Sequence, residues 1–214
     1  MKAVFAEAGD TFFTRSNTIL GRLIRWGETD RGETKDTWAN HTGVVIQSGW
    51  IGEPLAGTKA LEVLGPSRQA VVIEALWTSR RGPLQVNGID VRVFRPVPRY
   101  SPAELGRFTL EAERYVGAKY GWWKLGAQLA DKTFFGGRKV LTTALFLDTR
   151  PICSYLAGKV NASAESLERA IARLKILKDP SLSAFSFGIP PQAADPDEMM
   201  DFCLAHPDLW MEVR

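Results

Sequence analysis

Through the first half of the chain, apolar residues fall in short runs cut by glycine, proline and polar turns; through the second half they recur at helical spacing. Gly9-Asp10 followed by Thr11-Phe12-Phe13-Thr14 predicts a turn feeding a short strand. Ser16-Asn17 predicts the cap of a helix through Ile19, Leu20, Leu23 and Ile24. A polar stretch over 27–40 then delivers the chain to an apolar strand, His41-Thr42-Gly43-Val44-Val45-Ile46, which ends at Ser48-Gly49. After a Gly/Pro-containing loop over 51–58, two β-like runs, 60–64 and 69–76, flank Gly65-Pro66-Ser67. A last run over 91–95 precedes Pro96 and Pro98.

Ser101-Pro102-Ala103-Glu104 combines a cap, a proline at the first helical position and a glutamate at the third. The apolar positions Leu105, Phe108, Leu110, Ala112 and Val116 continue it as an amphipathic helix ending near Gly117. A second helix is predicted from Cys153 or soon after, a third from Ser163 to about Leu177, and a short one from Ala194-Asp195-Pro196-Asp197-Glu198. No internal repeat is visible. The pattern predicts an α+β fold, with an antiparallel, barrel-like β half packed against helices.

The 214 residues fit one domain, 1–214, with enough apolar material for a real core. Composition is that of a globular protein, 45% hydrophobic and 24% charged, which excludes disorder as a description of the whole chain. The net charge of +3 is spread out, and Arg80-Arg81 and Arg22/Arg25 are short local features, so no nucleic-acid surface is expected. The apolar run at the N-terminus is short and broken by Glu7, unlike a signal peptide. No stretch approaches the ~18 apolar residues of a membrane span. A cytoplasmic protein with reduced thiols is the expectation.

Only two histidines and two cysteines are present, and one of each sits where chemistry would want it. His41 stands at the mouth of a strand. Cys153, in Arg150-Pro151-Ile152-Cys153-Ser154, stands where a proline-marked turn enters a helix. A thiol at a helix start and an imidazole at a strand edge are the parts of a cysteine nucleophile with its base. The other pair, Cys203 and His206, is three residues apart near the C-terminus. Two local ligands fall short of the four a closed zinc site takes, so neither a metal nor another cofactor is expected, and Cys203 reads as a buried spectator.

The order of the motifs adds to this. Gly9-Asp10-Thr11-Phe12-Phe13, Asn40-His41-Thr42-Gly43-Val44-Val45, Val71-Val72-Ile73-Glu74-Ala75, Tyr120 and Ile152-Cys153-Ser154 follow one another along the chain. The series resembles the circularly permuted, NlpC-type branch of the papain-like superfamily, which includes YiiX-like proteins and lecithin:retinol-acyltransferase-like enzymes. In that branch the histidine precedes the cysteine, as here. The resemblance implies a permuted papain-like domain with Cys153 as nucleophile and His41 as general base. It also suggests Glu74 as the group orienting the imidazole, with Glu62, in a similar short β-run, as its rival. It places Tyr120 against the substrate pocket, with core packing as the competing reading; Trp122 and Trp123 offer an apolar wall for an acyl or lipid group.

The implied activity is hydrolysis of an amide, ester or thioester through an acyl-enzyme, on a small-molecule, peptide or lipid substrate. Acyl transfer on the same fold, and a binding protein built on a repurposed papain-like fold, are the alternatives.

Overall fold

A computed structural model of the chain describes residues 3–18, 21–22, 25, 37–52, 69–75, 78–84, 86, 89–121, 126–127, 130–131, 133–134, 141, 152–178, 186–189 and 195–214. Among the described residues, eight strands are defined: β1 (Val4–Ala6), β2 (Thr11–Ser16), β3 (His41–Gln47), β4 (Gly49–Ile51), β5 (Val71–Ala75), β6 (Ser79–Pro83), β7 (Ile89–Pro96) and β8 (Trp210–Val213). The helices that bear on the site are α1 (Pro102–Arg114), α2 (Cys153–Ala164), α3 (Leu167–Leu177) and α4 (Pro196–Ala205). The expected helix around Ile19–Ile24 and the β-run over 60–64 fall wholly or largely outside the described residues.

Six strands form one sheet in the order β6-β5-β3-β2-β7-β8, antiparallel at every pairing, and β1 pairs with β4 in a separate ribbon. The sheet is open: β6 and β8 are its edges and do not pair with each other. This corrects the barrel-like expectation.

Alternation along the strands explains the layering. Successive side chains point to opposite faces of a sheet. Phe13, Val44, Ile73 and Phe94 join the core shared with Phe108 and Ala112 of α1 and Leu156, Ala157 and Val160 of α2. Their immediate neighbours Phe12, Val45, Val72 and Val93 form a second cluster with Ala6 and Ile51 of the ribbon. With both faces covered, adjacent positions are all apolar, which is why β3 reads as a continuous run. Gly43 is required in that run. A Cβ there would stand 2.5 Å from Phe12 Cζ and 2.8 Å from the Ile73 carbonyl oxygen.

The start of α1 follows the sequence closely. Ser101 and Glu104 form a reciprocal capping box with Pro102 in the first turn. Glu104 also accepts from the Ser166 backbone N–H at 3.2 Å and from Arg169 Nε at 3.2 Å, tying α1 to the start of α3. The helix expected to begin at Ser163 is interrupted: α2 ends at Ala164, and Ser166 caps a new helix by accepting from the Arg169 N–H. α4 opens, as the sequence predicts, on a capping box of Asp195 and Glu198. Among the described residues, no helix is long and apolar enough to cross a membrane.

Candidate active site

Register builds one half of the site. Gly43 of β3 lies opposite Glu74 of β5. His41 is two positions along β3 from Gly43, on the same face, and so becomes a diagonal neighbour of Glu74. His41 Nε2 and Glu74 Oε2 are 2.8 Å apart, with 15% of the imidazole exposed and only 3% of the carboxylate. On the other side of Glu74, Arg80 of β6 is its direct cross-strand partner. Arg80 donates from Nε at 2.8 Å and from Nη2 at 2.6 Å, both to Oε1. The row Arg80, Glu74, His41 thus crosses three adjacent strands.

The other half is the start of α2. Cys153 is the first residue of that helix and is 5% exposed. Ile152, at the cap position, supplies no side-chain hydrogen bond, and the first turn holds no acidic residue. The other three helices are all capped by a side chain. The first N–H groups of α2 are therefore left to whatever lies before them, a setting that favours an anion. The packing of α2 on β3 and β5 brings the Cys153 thiol into hydrogen-bonding contact with His41. With Nε2 committed to Glu74, Nδ1 is the ring nitrogen left for the sulfur.

Electrostatics follow from this arrangement. Burial opposes a charge on His41, but hydrogen bonds to Cys153 and Glu74 and the attraction of both outweigh it, raising the imidazole from 6.5 to about 10. Burial also opposes a thiolate. The His41 hydrogen bond and charge, with the backbone N–H groups of Thr42 and Ser154, nevertheless hold Cys153 below the ordinary thiol value. Glu74 behaves alike: burial raises it, and His41 and then Arg80 bring it below the usual carboxylate value. The favoured state is a thiolate–imidazolium pair backed by a carboxylate.

The structure therefore brings Cys153, His41 and Glu74 together. Glu62 and Trp122 lie outside the described residues. Tyr120 is half-buried and packs against the same core cluster that contains Cys153. Cys203 is 1% exposed, and burial pushes its thiol well above the ordinary value. His206 caps the end of α4 with its ring 4.5 Å from Phe202. Among the described residues, no cluster of three or more His, Cys, Asp or Glu is placed to hold a metal ion. Arg80 is the residue that sequence reading missed, noted there only as part of a short local basic feature. A signal was present: Glu74 and Arg80 are equidistant from residue 77, the pairing a tight hairpin imposes, and opposite charges facing across a ladder attract.

No family model and no curated protein matches the chain. Among solved structures, the crystal structure of metalloprotein YiiX from Escherichia coli O157:H7 is similar, with a TM-score of 0.44 and 18% identity. The likeness covers 74% of this chain and 66% of that one. At this level it carries no assignment of family or activity.

Proposed function

We propose that the chain is a thiol hydrolase that cleaves an amide, ester or thioester through a covalent acyl-enzyme, on a permuted papain-like, NlpC-type domain. The observation that carries the reading is the convergence of Cys153, His41 and Glu74, with the thiol held below its ordinary pKa despite burial. The Cys153 thiolate adds to the acyl carbon, and the carbonyl π electrons move onto oxygen. The backbone N–H of Cys153 at the open start of α2 is a donor for that oxyanion. As the intermediate collapses, the bond to the leaving group breaks and His41 gives that group its proton. Neutral His41 next takes a proton from water, whose oxygen attacks the thioester; breaking the C–S bond restores the thiolate and releases the acid. Glu74 holds the imidazole in orientation throughout and stabilises its charged form. Small molecules, peptides and lipids all supply the required acyl bond.

Alkylation tests this without a known substrate. With limiting iodoacetamide at neutral pH and peptide mass mapping, Cys153 should label far faster than Cys203, and His41→Ala should remove most of that advantage. Faster labelling of Cys203, or labelling of Cys153 indifferent to His41→Ala, would sink the reading in favour of a binding protein on the same fold. A panel of ester, thioester and amide probes, with hydroxylamine trapping of the acyl-enzyme, would then define the bond cleaved.

A further inference from the structure

Glu74 has two carboxylate oxygens and divides them between two partners. His41 Nε2 meets Oε2 at 2.8 Å, while Arg80 gives both Nε (2.8 Å) and Nη2 (2.6 Å) to Oε1. The carboxylate is 3% exposed; the guanidinium, on the edge strand, is 41% exposed. A buried carboxylate with a single partner is free to turn about its terminal torsion, which is broad and roughly two-fold. Its whole charge also acts on that one partner. A guanidinium is planar, permanently charged and presents its donors as a rigid fork, so it removes both freedoms together.

We infer that Arg80 is a positioning residue of this site: by gripping Oε1 it fixes the carboxylate plane toward His41, and it draws part of the carboxylate's charge away from the imidazolium. The inference rests on the thiol chemistry proposed above and states how that site is tuned. In that chemistry His41 must give up a proton to the leaving group, and a proton held too firmly is given up slowly. Cys153 and Glu74 both act to hold it. Arg80 is the group in the row that acts the other way. Among the described residues, the titratable groups facing His41 are Cys153 from α2 and Glu74 from β5, and those facing Glu74 are His41 from β3 and Arg80 from β6. The signs alternate along the row, and the thiolate, imidazolium, carboxylate and guanidinium sum to zero.

A cross-strand ion pair that merely pins β6 to the sheet would show the same distances, so the readout must be the state of His41. Histidine NMR titration provides it, because the chain has two histidines and His41→Ala identifies the resonance. Arg80→Gln leaves the charge of Glu74 undivided. It should raise the His41 midpoint by on the order of one pH unit, the size of one charge acting across a carboxylate in a half-exposed site. Arg80→Lys keeps the charge and loses the fork: the midpoint should stay near that of the wild type, while the hydrogen-bonded Nε2 proton, sharp in the wild type, broadens.

A folded Arg80→Gln whose midpoint stays within about 0.2 pH unit of the wild type, far below the shift one undivided charge should cause, would overturn the inference. Should that variant fail to fold, Arg80→Lys decides, since an Nε2 proton as sharp as the wild type's would show that the fork is not needed. If wild-type Cys153 alkylates like an ordinary thiol, the hydrolase reading falls and this role falls with it. The Arg80-dependent His41 shift, measured separately, would show whether the coupling survives.

Discussion

Linkage turns the Cys153–His41 pair into a prediction about folding stability that needs no substrate. In the unfolded chain the two groups titrate near 9.0 and 6.5. In the folded protein burial works against both charges, yet the thiol is lowered and the imidazole raised to about 10. Just below pH 9.0, then, the unfolded pair carries one proton, on sulfur, and the folded pair carries one, on the ring. Equal proton counts mean no pH dependence.

Above pH 9.0 the unfolded pair loses its last proton while the folded pair keeps one until about 10, so stability falls as pH rises. Each unmatched proton sets a limiting slope of about 1.4 kcal/mol per pH unit.

The assay is urea denaturation from about pH 5 to 10, a range that spans both unfolded-state values. Wild type is compared with the His41→Ala/Cys153→Ala double variant, and one curve is subtracted from the other. Glu74 loses His41 in the double variant, so its own titration enters the acid end of the difference and the alkaline end is the one read. The difference should be flat just below pH 9.0 and fall as pH rises from 9.0 to about 10. Because the curve counts protons without locating them, ultraviolet thiolate absorbance at neutral pH supplies the location. A difference curve without that alkaline fall, or thiolate absorbance that appears only near the ordinary thiol value, would refute the reasoning.

Glu74→Gln removes the carboxylate behind the ring and should slow Cys153 alkylation at neutral pH, by up to about tenfold for each pKa unit the thiol rises; a rate equal to that of wild type would remove Glu74 from the site. Gly43→Ala forces a Cβ against Phe12 and the Ile73 carbonyl and should cost about 1–3 kcal/mol, seen as a lower urea midpoint. Glu104→Ala removes half a capping box and the anchor of Arg169 and Ser166, for a loss of about 3 kcal/mol by the same measurement. Burial opposes the Glu104 charge, but Arg169, Ser101 and Ser166 hold its carboxyl well below 4.5, so its contribution should persist at neutral pH and fade only as pH falls below 4.5.

What the sequence made legible was what local chemistry determines. The capping boxes at Ser101 and Asp195 mark helix starts because the cap and the third helical residue satisfy each other within one turn. The continuous apolar run of β3 marks a strand covered on both faces. Cys153 and His41 could be picked out because each sits at an element's end, where a polar group meets less packing. What stayed hidden depends on pairing between distant segments. β6, Ser79-Arg80-Arg81-Gly82-Pro83, has no apolar alternation, since an edge strand is free to carry charge and proline on its open side. β1, β4 and β8 are three or four residues long, too short to show a period. Whether a sheet closes is decided by its outer strands, and β6 was invisible. Two helices were expected where α2 and α3 lie, but the second was started at Ser163 instead of Leu167, because Ala164 continues a helical pattern and the Ser166 cap acts through backbone geometry.

Asn161 lies two turns along α2 from Cys153 and is fully buried. Its side-chain amide donates to Thr11 Oγ1 at 3.0 Å and to the Ala157 carbonyl at 2.8 Å, and its oxygen accepts from the Tyr100 hydroxyl at 2.8 Å. One side chain thereby latches the helix to β2 and to the segment leading into α1. The proposed nucleophile rides on a rod, its proposed base is embedded in a plate, and Asn161 is a pin through both. A helix advances about 1.5 Å per residue, so a slip of a fraction of one step along its axis would carry the sulfur out of line with the ring. The tolerance of the reacting pair is therefore set at the far end of the helix, and wear at that pin would register as lost chemistry before it registered as lost fold.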